Sequence, residues 1–201
     1  MQREVGYEEG HVARYGKEHK EASRRRIVEA AGRRFKRDGI DGSGIAALMA
    51  DAGLTNGAFY AHFASKDDLV ETTVADQLRE QRESYWQRPG PGVEQLVRGY
   101  LSVRHRDDPE HGCPSAALLD EIGRCPASTK EAYTDGVLAI ADEIAARLVP
   151  EDPESARATT LSLFALLIGT LQLSRALADR QLADDVLEQG IENALTLLRG
   201  T

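Results

Sequence analysis

The chain has 201 residues, 41% hydrophobic and 29% charged, with a formal net charge of −8. That is the composition of an ordinary globular protein, long enough to bury the core of one compact domain or two small ones. The longest apolar run, Leu161 to Leu173, is 13 residues where about 20 are needed to cross a bilayer, so no membrane span is expected. The charged N-terminus lacks the apolar stretch of a secretory signal, and the expected location is the cytoplasm. Two cysteines, Cys113 and Cys125, are too few for a disulfide framework and are expected as thiols.

The acidic total hides an uneven distribution. Residues 1–70 carry 12 basic and 11 acidic side chains, which leaves 13 against 22 for the rest, and between Lys17 and Arg37 basic residues outnumber acidic ones 9 to 3. A local basic patch is what phosphate contact requires. A merely solvated helix face has the same appearance.

No sustained two-residue alternation of β-branched side chains occurs, while apolar positions recur at intervals of three and four. The expected fold is all-α with about nine helices. Residues 1–22 form a basic arm. The first helix is predicted over 23–38, with Ser23 as N-cap, Ile27, Ala31 and Phe35 on one stripe, and Gly39 as the stop. The second follows Ser43, its expected cap, and turns Ile45, Leu48, Met49 and Ala52 inward. It ends at Gly53, and a short third helix runs from about 55 to 63. "SKDD" reads as a capping box, Ser65 capping and Asp68 reaching back, and opens a fourth helix to about residue 86.

"QRPGPG" (87–92) breaks the chain, and a second domain is expected over 91–201. There Val93, Leu96, Val97, Tyr100 and Leu101 form an amphipathic stripe, and "HRDDPEHGCP" is a polar loop. Pro114 starts a short helix to about 123. Ser128 caps a longer one, and two last helices occupy about 154–178 and 183–198. Between Leu161 and Leu173 almost every side is apolar, which requires cover on more than one face. A homodimer through the last two helices, with Leu187, Gly190, Ile191, Ala194 and Leu198 as a seam, supplies it, as does the core of a monomer.

A helix, a tight glycine turn and a short second helix are the parts of a helix-turn-helix, whose second helix enters the DNA major groove. In "GLTNGAFYAHFASKDDL" (53–69), Leu54 and Phe59 suit a core, while Thr55, Asn56, Ala58, Tyr60 and His62 project outward. Gly57 and Ala58 permit close backbone approach, and Asn56 can pair with a base edge. Tyr60 and His62 can donate to phosphates, and Lys66 adds a charge there. Arg14, Lys17, Lys20, Arg24, Arg25 and Arg26, which precede or open the first helix, can follow the backbone or enter a minor groove.

The stretch "RRRIVEAAGRRFKRDGIDGSGIAALMADAGLTNGAFYAHFASKDDLV", with its core "AGLTNGAFYAHFASKDDL", closely resembles the DNA-binding domain of the tetracycline-repressor (TetR) family of bacterial transcriptional regulators. The match covers about 23–70. The later helices are similar to the family's ligand-binding and dimerisation region in number and order. The resemblance implies a regulator and not an enzyme: a repressor that holds a near-palindromic double-stranded DNA operator as a homodimer and is released by a small molecule of unknown identity. It implies that Thr55, Asn56, Gly57, Tyr60, His62 and Lys66 face the operator and that Ser43 holds a phosphate. Ala58 stands where members often carry Ser or Thr, and Ala46 where many have a DNA-contacting Arg.

Tyr100, Leu118, Tyr133, Phe164 and Ile168 are the candidate walls of a ligand pocket, although each taken singly is better suited to plain core packing. Cys113 precedes Pro114 at a helix start, where the dipole lowers a thiol pKa, with His111 two residues away. A thiol sensor of electrophiles or oxidants is therefore an alternative. His105, His111, Cys113 and Cys125 show no CxxC or HxxxH spacing, so neither metal nor cofactor is expected. Two further classes stay open: an enzyme built on a Cys–His pair with Asp107 or Asp120, and an architectural DNA-binding protein indifferent to small molecules.

Overall fold

The computed structural model describes residues 6–85 and 92–200, with side chains from residue 18 onward. Among the described residues there are nine α-helices, two short 3-10 helices and no strand, the all-α fold that the periodicity predicts. Helix α1 (Gly6–Asp38) begins well before Ser23. Ser23 is therefore not a cap; it lies inside the helix and is buried, because Glu, Lys, Ala and Arg carry the helix upstream without a proline to stop it. Residues 1–5 of the predicted arm, and the side chains of Arg14 and Lys17, lie outside the described residues.

Gly39 closes α1 at φ +82°, its N–H returning to Phe35 O at 2.8 Å. Helix α2 (Ile45–Asp51) is capped by Gly44 without any side-chain bond. Ser43, the predicted cap, instead turns its hydroxyl back to Gly39 O at 2.6 Å. A 3-10 helix (Asn56–Ala61) and α3 (Lys66–Tyr85) complete the N-terminal part. The predicted break at 87–92 falls almost wholly outside the described residues.

Beyond it come α4 (Val93–Tyr100), α5 (Val103–Asp107), a 3-10 turn (Pro109–His111), α6 (Pro114–Ile122), α7 (Ala127–Leu148), α8 (Pro153–Ala176) and α9 (Arg180–Arg199). Helix α5 and the 3-10 turn occupy what the sequence offers as a loop. Ser102 caps α5 by accepting from His105 N at 3.2 Å, a local bond that needs no apolar periodicity. Helix α7 starts at Ala127 after Pro126, so Ser128 is inside it. Helix α9 starts three residues earlier than predicted because Asp179 Oδ1 accepts from Gln181 N and Leu182 N.

Helix α8 runs between α7 and α9, and α3 lies along α7 as well as α1, so one helix belongs to both parts of the molecule. At 24 residues α8 is long and apolar enough by composition to cross a membrane. Here it is a central packing helix: Leu163, Leu167 and Leu171 are fully buried. The seam of α9 is also spent inside the chain. Leu187 and Ala194 are buried, and a Cβ on Gly190 would sit 2.4 Å from Thr170 Cγ2, so glycine lets α9 close on α8. On α8 and α9 the large apolar side chains left exposed are Leu161, Leu173 and Leu182, between 38 and 53% exposed.

Candidate DNA-binding surface and ligand cavity

The turn after α2 depends on Gly53, at φ +64°. A Cβ there would enter the left-handed region and lie 2.8 Å from Arg26 Nη2, a double reason for glycine. The next segment lies where the third helix was predicted but is wound more tightly, with Ala58 N bonded to Thr55 O at 3.0 Å and His62 N to Phe59 O at 2.9 Å. Six residues with Gly57 near the start favour the shorter repeat. Phe59 is fully buried, 5.8 Å from the Phe63 ring and edge-on to Tyr60 at 5.1 Å. That anchor leaves Tyr60 70% exposed, beside exposed Thr55, Asn56 and Gly57 and half-buried Ala58, His62 and Lys66.

Helix α3 begins with the predicted box, shifted by one residue: Asp68 N donates to Ser65 Oγ at 3.1 Å, and Ala64 N donates to Asp68 Oδ2 at 2.8 Å. Lys66 stands at the first position, where a cation opposes the helix dipole. Nothing in the fold rewards that placement.

Much of the basic patch is spent internally. Arg24 stacks on Phe63, Cζ 4.6 Å from the ring centroid, and reaches Thr72 Oγ1 at 3.3 Å. Arg26 closes the end of α2 through Ala52 O at 2.6 Å. Arg34 joins Asp51 at 2.7 Å. Lys20 and Arg25 remain exposed. Ser43, fully buried with its hydroxyl occupied, is withdrawn from the phosphate-holding set, since no phosphate can reach it in this conformation. The Nδ1 atom of His62 is buried without a hydrogen-bond partner. Burial, then the charges of Lys20 and Arg24, hold its pKa below the ordinary histidine value.

A cavity of about 830 Å3 opens between α1, α3, α4 and the 102–113 segment. Of the predicted wall residues only Tyr100 lines it. Leu118, Phe164 and Ile168 are buried in the hydrophobic core, and Tyr133, packed against that core, donates to Ser115 Oγ at 3.1 Å. Those four side chains find apolar neighbours on adjacent helices, whereas the cavity is walled by polar residues that no hydrophobic pattern marks: Lys36, Gln77, Glu80, Gln81 and His105. Burial lowers the Lys36 pKa, partly offset by Cys113 and Glu80, and raises that of Tyr100. Cys113 also lines the cavity, at 2% exposure.

His105 accepts from Cys113 N at its Nε2 (2.9 Å), so its Nδ1 carries the hydrogen given to Tyr100 O at 2.7 Å. Burial lowers its pKa, in keeping with a neutral ring. Both nitrogens are thus committed to backbone, and neither is available as a base toward the thiol. Asp107 pairs with Arg106 and Arg180, and Asp120 with Arg124. The residue types for nucleophilic catalysis are present but not assembled. On the rim Asp108, Glu110 and His111 bring three potential ligand atoms within 4.8 Å of one another, a grouping that Cys/His spacing does not reveal. His111 pairs with Asp108 at 2.9 Å, and Glu110 with Arg37 at 3.5 Å.

Residues 27–73 match the family model described as bacterial regulatory proteins, tetR family. Over those residues the chain is similar to the DNA-binding domain of the TetR family of bacterial transcriptional regulators. It is 38% identical over 69 residues to the HTH-type transcriptional regulator TtgR of Pseudomonas putida, a match covering 34% of this chain and 32% of that protein. The match thus spans about a third of the curated relative's length. Solved structures extend the fold likeness further. A TetR-family regulator from Cytophaga hutchinsonii superposes with a TM-score of 0.70 at 18% identity, over 90% of this chain and 96% of that one. The reduced form of E. coli NemR does so with a TM-score of 0.67 at 15% identity, over 86% and 95%.

The matched region is joined to the rest by contacts that sequence spacing does not reveal. Glu121 on α6 accepts from Ile40 N at 2.7 Å and Asp41 N at 3.2 Å, holding the loop that leads into α2. Lys36 donates to Gln77 Oε1 at 2.7 Å and Gly112 O at 3.1 Å. Beyond the matched region, Arg175 on α8 donates to His105 O, Arg106 O and Ala116 O at 2.7 to 3.1 Å, fixing α5 against α6. Each is a charged residue in a helix that reads as surface or core by pattern alone.

Proposed function

We propose that the protein is a cytoplasmic repressor that binds a near-palindromic operator as a homodimer and lets go when a small molecule enters the cavity. The carrying observation is that the cavity is walled by both parts of the chain: Lys36 comes from α1 and Gln77 and Gln81 from α3, while Tyr100 and His105 come from beyond the break. A ligand that favours one arrangement of those walls shifts α1 and α3, and with them the spacing of two recognition segments that must meet half-sites about 34–36 Å apart. A coupling of about 1–3 kcal/mol, or about 5–150-fold in operator affinity, is the scale of such devices.

In this reading Thr55, Asn56, Gly57 and Ala58 approach the bases, and Tyr60, His62 and Lys66 meet phosphates with Lys20 and Arg25 beside them. The partner subunit packs through α8 and α9, covering Leu161, Leu173 and Leu182. Footprinting on the chain's own upstream region, at stated salt, tests it. Protection of one near-palindrome with dimer stoichiometry is expected, and the absence of any saturable specific site refutes the proposal.

One observation favours a second reading. Cys113 lies in the cavity wall, so a reactive electrophile that enters meets a thiol there, and modification in place of binding releases the operator. An electrophile response unchanged in Cys113→Ser eliminates this version.

A further inference from the structure

Two residues of the cavity wall each carry a buried polar atom without a hydrogen-bond partner. Tyr100 is 4% exposed and its hydroxyl has no hydrogen-bond partner; the Cys113 thiol is near enough to act on it but is a weak donor and acceptor. Gln81 donates through its amide nitrogen to the Tyr85 hydroxyl, and its carbonyl oxygen, also buried, has no partner. Both residues line the same cavity. Buried polar atoms are nearly always paired because an unpaired one forfeits its hydration without return, so two in one cavity wall point to the side from which a ligand would bond.

The charges of the cavity select against an ion. Lys36 already gives two of its three hydrogens to Gln77 Oε1 and Gly112 O, and Glu80 is an opposite charge acting on it from α3. An anion entering would meet Glu80, and a cation would meet Lys36. Arg104 and Asp108 repeat the balance at the rim. Leu96, Tyr85 and Tyr100 provide apolar surface between the polar positions, and about 830 Å3 is the size of pocket that encloses a drug-sized molecule.

We infer that the cavity takes a neutral molecule carrying a hydrogen-bond donor for Gln81 Oε1 and an acceptor for the Tyr100 hydroxyl, with secondary aromatic amides as the simplest class. This rests on the ligand-responsive reading above and names the chemistry of that ligand.

Calorimetric titration of the full chain with acetanilide, N-methylacetanilide, benzoate and benzylamine tests the inference. Acetanilide should bind about tenfold more tightly than each of the others, the worth of one buried hydrogen bond. Tyr100→Phe should lower acetanilide affinity about tenfold while leaving the melting temperature of the free protein unchanged or raised, because the group removed was unpaired. Gln81→Leu should erase the preference over N-methylacetanilide.

Acetanilide binding no tighter than benzoate, absence of acetanilide binding at millimolar concentration, or full affinity in Tyr100→Phe each overturns the inference. Operator occupancy measured alongside separates the two readings: acetanilide bound with the operator still held refutes ligand-driven release and leaves the ligand class standing.

Discussion

Phe59 and Tyr100 are both buried aromatic residues, one in the recognition segment and one beyond the break, and their surroundings differ in kind. Phe59 is enclosed by Phe63 and Tyr60 within four residues of chain, and its burial turns Thr55, Asn56 and Tyr60 outward. Tyr100 borders a cavity that α1 and α3 help to wall from far away in sequence, and its hydroxyl is left unpaired. The candidate DNA-binding surface is therefore set by local winding, where each side chain's direction follows from its neighbours' packing. The cavity is what remains between helices that pack imperfectly, and its chemistry is decided by residues distant in sequence.

The largest test of that contrast is Phe59→Ala. Loss of a fully buried phenyl ring costs about 3–5 kcal/mol, and chemical denaturation should show the N-terminal part unfolding first while α7, α8 and α9 stay helical. One transition that removes both parts together would mean the recognition segment is not locally held.

Glu121→Ala comes next. It takes the acceptor from Ile40 N–H and Asp41 N–H, an expected cost of about 1–2 kcal/mol, and should separate the melting of the two parts. Unchanged cooperativity would move the mechanical link elsewhere.

Lys66→Ala should alter stability by less than about 0.5 kcal/mol, with a gain as plausible as a loss because a cation leaves a helix N-terminus. The salt slope of operator binding, followed by fluorescence anisotropy, should fall by about 1. An unaltered slope removes Lys66 from the phosphate contacts.

The smallest effect concerns His62, whose folded-state pKa lies below the ordinary value of 6.5. The unfolded chain then binds the proton more readily, so this contribution to stability is fully present above about 6.5 and is lost as pH falls through the folded-state value. A phosphate beside the ring would raise its pKa, so operator affinity should increase as pH falls from about 7.5 to 6. Gel-shift titrations across that range, with His62→Gln as the flat control, measure it, and an affinity that falls with pH contradicts the contact.

The N-terminal part was readable nearly residue by residue. Ile27, Ala31, Phe35, Leu48 and Met49 are buried as their spacing predicts, the stops at Gly39 and Gly53 are the two positive-φ glycines among the described residues, and Ser65 and Asp68 form their box. The misreadings there share one cause. Ser23 and Ser43 are small polar residues next to a helix start in sequence, and the same signature serves a cap or a buried serine bonded to backbone. Arg24 and Arg26 count equally as charge whether they face solvent, a ring or a carbonyl.

In the C-terminal part the approximate limits of the longer helices were legible, but α5 and the pocket were not. Leu118, Phe164 and Ile168 are candidate wall residues that pack in the core instead, the better reading of each taken singly, since apolar side chains are the ones that close gaps. Polar residues such as Gln77, Gln81 and Lys36 are left to border the space, and nothing in their spacing announces it.

Periodicity, two glycine stops and a capping box thus determined, from the sequence alone, an all-helical chain with a helix-turn-helix near its start, because those signals act over a few residues and need no distant partner. The tertiary structure alone decided which arginines are free to meet a phosphate, that Glu121 and Lys36 tie the two parts together, and that a polar cavity lies between α1, α3 and α4. Those outcomes depend on contacts between residues far apart in the chain, where the alternatives for one side chain differ only in what happens to pack against it.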